Sequence, residues 1–161
     1  MGNANHKESI NKLFSILSES DNSIKTIIKN SDFYLNQLDG NYEDIHNFQM
    51  RNYTYTILDF VVMNESVDLM KLFIEKHKIN VDDEPGNGIR LLIIAIIKNN
   101  YDMLEYLLNN IDLSKINNLV EIEELFGYGE YIHVLDDKVH SIVKNNDMIE
   151  LLILNGAQKR I

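Results

Sequence analysis

Thr56-Ile57-Leu58-Asp59-Phe60-Val61-Val62, followed by Asp68-Leu69-Met70-Lys71-Leu72-Phe73-Ile74, decides the fold of this chain because it occurs again further on. Arg90-Leu91-Leu92-Ile93-Ile94-Ala95-Ile96, followed by Asp102-Met103-Leu104-Glu105-Tyr106-Leu107-Leu108, lies beneath it without a gap, position 90 under position 56, an offset of 34 residues. Each copy reads as a short apolar helix, a polar turn, and a second helix that opens with Asp and closes on apolar residues. The turns are Asn64-Glu65-Ser66 and Lys98-Asn99-Asn100. One such helical pair cannot bury its own apolar face, so neighbouring copies must supply the rest of the core. Leu91 to Ile97 is apolar nearly all round, as expected of a helix sandwiched between others.

Working outward, a third copy closes the sequence. Val143-Lys144-Asn145-Asn146 leads into Asp147-Met148-Ile149-Glu150-Leu151-Leu152-Ile153 and then Asn155-Gly156-Ala157, with a turn one residue shorter. A weaker copy opens it. Leu13, Ile16 and Leu17 form the apolar side of one helix, Ile24, Ile27 and Ile28 that of the next, with Ser18 to Asn22 as the turn. Asp68, Asp102 and Asp147 are expected to cap their second helices, as Asp21 or Ser23 is in the first copy, by accepting a bond from a free backbone N–H. An acidic residue there also suits the positive end of the helix dipole. The first helix, expected from Lys7 to Ser18, mixes charges into its apolar stripe, which is the look of a terminal unit with one solvated side.

Composition agrees with helices. The chain has 161 residues, one Pro, seven Gly, no Trp and many Ile and Leu, which favours helices joined by short turns over an all-β domain. It has no Cys, so disulfides and thiolate chemistry are excluded, and a reducing compartment fits. Met1 to Ser9 is too polar for a secretory signal, and the longest apolar run, Leu91 to Ile97, is far shorter than the roughly 20 residues that span a bilayer. A net charge of −10 argues against nucleic acid and against anionic membranes as partners. The expectation is a cytoplasmic monomer.

The repeated residues resemble the ankyrin repeat, a unit of about 33 residues built from two antiparallel helices and a β-turn. Thr56-x-Leu58 stands for the family's Thr-Pro-Leu-His opening, Asp68-Leu-Met-Lys-Leu-Phe-Ile for its Glu-Ile-Val-Lys-Leu-Leu-Leu, and Asn155-Gly156-Ala157 for its Gly-Ala ending. Ile79 to Asp83 with Asn87-Gly88, and Leu35 to Gly40, look like its hairpin linkers. The family's Pro is missing from every opening. Its His has a candidate only at His140, in a register that puts Val139 at the Leu position. The resemblance implies an all-α, ankyrin-like solenoid of about four helix-turn-helix repeats in one domain, with units near 5–53, 54–87, 88–134 and 135–161. Two inserts, Asn41 to Arg51 and Asn117 to Val134, add length to it.

Candidate chemistry is sparse. His133 and His140 flank Asp136 and Asp137, but no His-Glu-x-x-His pattern accompanies them, so they read as ordinary surface and turn residues. Asp82-Asp83-Glu84-Pro85-Gly86-Asn87-Gly88 lacks the alternating carboxylates and distal Glu of a calcium loop, and Asn87-Gly88 reads as turn chemistry with Gly at positive φ. Gly127-Tyr128-Gly129 lacks the spacing of a phosphate loop. Glu123 and Glu124 are adjacent and diverge on a helix, so they make no acid–base pair. No cofactor, metal or catalytic residue is expected, and the chain is not read as an enzyme.

The resemblance implies a protein-binding function through hairpin tips and a concave groove. Carried onto this sequence, the first tip offers Gln37, Asp39, Tyr53 and Tyr55, and the second Asp82, Asp83, Glu84, Asn87 and Arg90. The second insert adds Glu121, Glu123, Glu124, Tyr128, Glu130 and Tyr131. Tyrosines on inserts either pack them onto the body or anchor a partner, since Tyr joins large contact area to a hydrogen bond at low entropy cost. The expected partner is a basic protein meeting an acidic surface. Within the same class stands an acidic inhibitor or immunity protein that blocks a basic toxin or nuclease. Outside it stand a structural subunit and an enzyme whose site is invisible in one sequence.

Overall fold

A computed structural model describes residues 3–19, 21–47 and 55–159. Each polar turn of the repeat ends in a side chain that starts the next helix. Ser23 accepts from the Thr26 N–H, Ser66 from Leu69, Asn100 from Met103 and Asn145 from Met148, at 3.1–3.3 Å. These caps correct the expectation at Asp68, Asp102 and Asp147, each of which lies two residues further on, inside the first turn. A cap must stand outside the helix with extended backbone, as Ser66, Asn100 and Asn145 do, whereas a first-turn Asp acts on the helix dipole.

The chain divides into two compact units, residues 1–80 and 81–161. In the first, α1 (Asn3–Glu19) packs on α2 (Ile24–Leu38) and on α3 (Ile57–Met63), while α4 (Val67–Lys71) packs on α2 and α3. Apolar residues at helical spacing supply the core: Ile10, Leu13, Phe14 and Leu17 from α1, Ile57, Leu58, Val61 and Val62 from α3. The second helix of the first copy is longer than expected. Leu35 and Leu38, read as linker, are buried residues of α2, and the chain leaves the helix at Asp39 in left-handed geometry. In the first insert a 3-10 turn, Glu43–His46, buries Ile45; positions 48–51 of that insert lie outside the described residues.

Thr56 shows why an opening without the family's Pro and His still starts a helix. Its side chain accepts from the Asp59 N–H at 3.2 Å, and the Asp59 carboxylate accepts from the Thr56 N–H at 2.8 Å. The reciprocal pair satisfies two backbone donors, and it is fully buried. At its far end, α4 widens into a π turn, Leu72–Lys76, where the His77 N–H reaches back five residues to the Leu72 carbonyl. In the aligned copy the helix stays α from Tyr101 to Leu108.

In the second unit, α5 (Ile89–Ile97) packs on α6 (Tyr101–Leu108) and α8 (Asp137–Val143), and α9 (Asn146–Leu154) packs on α6. Every residue from Ile89 to Ile96 is buried, as its apolar surround requires. The linker before α5 is a 3-10 turn, Val81–Asp83, followed by a tight turn at 85–88 in which Gly86, Asn87 and Gly88 all have positive φ. Gly88 sits at φ +84, and a Cβ there would meet the Val81 Cγ1 at 2.7 Å, so only Gly fits this turn.

The second insert forms structure that its sequence did not announce. Strand β1 (Val120–Glu121) pairs antiparallel with β2 (Tyr131–Ile132), with one helical turn, α7 (Glu123–Phe126), between them. Alternation explains the pair: Val120 and Ile132 face the core opposite each other, while Glu121 and Tyr131 face out. No helix among the described residues is long and apolar enough to cross a membrane.

Candidate partner-binding surface

The second insert is tied down at its root and open at its tip. Asn117 anchors the root: its Oδ1 accepts from His133 Nε2–H and from the Gln158 N–H, both at 2.8 Å, and its Nδ2 donates to the Gly156 carbonyl. His133 Nδ1 accepts the Leu135 N–H at 3.0 Å, so this nitrogen is bare and the ring proton is on Nε2. His140 donates from Nε2 to the Val134 carbonyl at 2.7 Å. Both rings are buried, which corrects their reading as surface residues. Among the described residues, no group of three or more His, Asp or Glu side chains is placed to hold a metal ion.

Arg90 ties the hairpin to α5. It donates from a guanidinium nitrogen to the Glu121 carbonyl at 2.7 Å and is buried, as is Glu84. Neither therefore offers the exposed charge expected of a tip. Asp83 remains exposed, Asp82 is half-buried with its carboxylate on the Asp112 N–H, and Asn87 is half-buried in its turn. The Asp112 carboxyl is itself held below its usual range by bonds from Ser114.

At the insert's tip the side chains turn outward. Tyr128 is 85% exposed and Tyr131 62%, with Leu119 and Leu125 each about two-fifths exposed. Glu123 and Glu130 are exposed and Glu121 is half-buried; the Glu124 side chain lies outside what is described. Glu130 pairs with Lys138 at 2.9 Å and holds that ammonium's pKa above its usual value. Between Lys115 and Lys138 the sequence carries six carboxylates and no Lys or Arg. Exposed apolar and aromatic surface is what interaction sites are built from, and this segment carries four such side chains.

The first unit holds the other expected tip. Gln37 and Asp39 are exposed, Tyr53 lies outside the described residues, and Tyr55 is half-buried with its ring edge-on to Phe60 at 5.5 Å. Nearby in that unit is a cluster the sequence did not reveal. Asp32 accepts from Lys76 at 2.9 Å and from His77 Nε2–H at 2.7 Å, and Tyr42 bonds His77 Nδ1 at 3.3 Å. The Lys76 bond leads in holding the Asp32 carboxyl below its usual range, while burial raises the Tyr42 phenol. The π turn brings Lys76 and His77 to one carboxylate.

A family model of ankyrin repeats, in three copies, matches residues 13–117, well over half of the sequence. The chain belongs to the ankyrin-repeat family. Such repeats are generally protein–protein interaction modules and typically not enzymes. The all-α, ankyrin-type fold class follows from the same match and from the mostly helical structure. The hairpin and its exposed tyrosines lie beyond the matched span. No curated protein and no solved structure matches the chain.

Proposed function

We propose that this ankyrin-repeat chain binds a basic protein through its second insert, with Tyr128, Tyr131, Leu119 and Leu125 as contacts and the insert's carboxylates as the selecting charge. The supporting observation is that well-exposed aromatic and aliphatic side chains share a segment with six carboxylates and no cation of its own. Tyr supplies contact area and a hydrogen bond, and the excess of carboxylates, of which Glu130 and Asp137 pair with Lys138 and Lys159, steers a basic partner and rejects an acidic one. In this reading α8 and α9 form a fourth repeat, the chain works as a cytoplasmic monomer, and Asp82 and Asp83 extend the acidic field in the same unit.

The test is affinity capture with the tagged chain, followed by binding kinetics of the captured partner at low and high salt. The triple variant Glu121→Lys/Glu123→Lys/Glu130→Lys should slow association at least about tenfold, and salt should slow the parent in the same way. A partner indifferent to both changes would remove the insert and its charge from the binding surface. Loss of a captured enzyme's activity on binding would make the chain an inhibitor.

A further inference from the structure

The outward face of the β1–β2 hairpin borders a groove of about 350 Å³. Leu119 and Leu135 give it apolar lining, the Tyr131 ring an aromatic one, and Asp136 and Asp137 a pair of carboxylates. His133 also lines it, with both ring nitrogens already bonded, one accepting and one donating. The groove is not empty of charge. Lys159 lies along it with its Nζ 3.3 Å from the Asp137 carboxylate, the two side chains 70% and 86% exposed. So long and so exposed an ion pair holds the ammonium weakly.

We propose that this groove receives an arginine side chain of the partner, with an aliphatic residue beside it, and that Lys159 is the internal competitor which the arginine displaces. The proposal rests on the reading of the insert as a partner-binding surface and narrows it to one site. The chemistry follows from the lining. Glu121 lies directly across the hairpin from Tyr131, and cross-strand neighbours place their Cβ atoms ~4.5–5.5 Å apart on one face. A guanidinium is planar, so it stacks on the exposed ring while its fork of N–H groups reaches a carboxylate. An ammonium is also drawn to a ring face, but it has no plane to stack there and no fork for a carboxylate, so it is held less well. Leu119 and Leu135 take the aliphatic neighbour, and Asp136 and Asp137 balance the charge that enters.

Two blocked tetrapeptides, Gly-Arg-Leu-Gly and Gly-Lys-Leu-Gly, test this by titration into the full isotope-labelled chain, followed by amide chemical shifts. The arginine peptide should move the amides of Leu119 and residues 131–137, with the lysine peptide weaker by about threefold, as an exposed cation–π contact implies. Tyr131→Ala should abolish the difference between the peptides. Lys159→Ala should tighten the arginine peptide by about twofold, because it removes a weak competitor. Equal response to both peptides, shifts centred elsewhere, or weaker binding by Lys159→Ala would overturn the groove. If those results come with a captured partner that still responds to charge reversal in the insert, the groove fails and the docking surface stands. A responsive groove with an indifferent partner would keep the arginine site and overturn the wider docking surface.

Discussion

Asn117 and His133 stand at the two ends of the second insert and are joined by a 2.8 Å hydrogen bond from the His133 Nε2–H to the Asn117 Oδ1. The same amide holds the chain beyond α9 through Gly156 and Gln158, so one side chain closes the hairpin and fastens the last segment. Asn117→Ala strips partners from His133, from the Gly156 carbonyl and from the Gln158 N–H. It should cost about 1–3 kcal/mol in urea unfolding and speed hydrogen exchange at Leu135 and Ile132. An unchanged midpoint and unchanged exchange would show that the hairpin closes without it.

Thr56 and Asp59 act as one device at the start of α3. Thr56→Ala should cost about 1–2 kcal/mol, the upper part of the range for a cap, because the pair is buried. Since each side chain serves the other's backbone, Thr56→Ala/Asp59→Ala should destabilise by clearly less than the sum of the single changes. Strict additivity in a denaturation cycle would show two independent roles.

Two glycines at nearly the same φ separate backbone strain from packing. Gly40, at φ +83, has nothing within 4 Å of an added Cβ, so Gly40→Ala should cost about 1–2 kcal/mol from the left-handed backbone alone. Gly88→Ala adds a clash with Val81 to that strain and should cost more. Equal shifts in thermal midpoint would mean that Val81 moves aside freely.

Asp32 ties stability to acid in one direction. Its folded carboxyl titrates below the ordinary value of 3.8, with Lys76 the leading cause and His77 adding to it against the opposing effect of burial. A depressed carboxyl contributes stability that is complete above its unfolded pKa and is lost as pH falls through the lower folded one. Asp32→Asn should therefore lower stability at neutral pH and shrink the loss seen below about pH 4. Parallel pH–stability curves for the two proteins would contradict this assignment.

Tyr128 predicts a separation of binding from folding. At 85% exposed, its ring contributes almost nothing to the core, so Tyr128→Ala should leave the unfolding free energy within about 0.5 kcal/mol. The same change should weaken the captured partner by at least about fivefold if the ring is an anchor. A large stability loss would place the ring in a packing role instead.

The repeat itself was readable from one sequence. The 34-residue offset between Thr56 and Arg90 located both helical pairs, and Ile89 to Ile96 is buried as an all-apolar helix must be. Periodicity works because the position of an apolar side chain along a helix settles which face it covers, and that depends only on its close neighbours. The same locality explains a near miss. Asp68, Asp102 and Asp147 mark the second helices correctly, but the cap is set by which backbone is extended, two residues earlier.

What only the tertiary structure decided are the polar partnerships. Asp32 meets His77 across 45 residues of sequence, Arg90 meets the Glu121 carbonyl across 31, and Asn117 meets Gly156 across 39. No local pattern encodes such a meeting, because a donor takes whichever acceptor the folded backbone brings within about 3 Å. For the same reason Glu84 and Arg90 read as tip charges and are buried, while Tyr128 and Tyr131, equally able to pack, are left in solvent. The sequence by itself determined the repeating helical pairs. Long-range packing chose which of the remaining side chains face outward, and with them the surface offered to a partner.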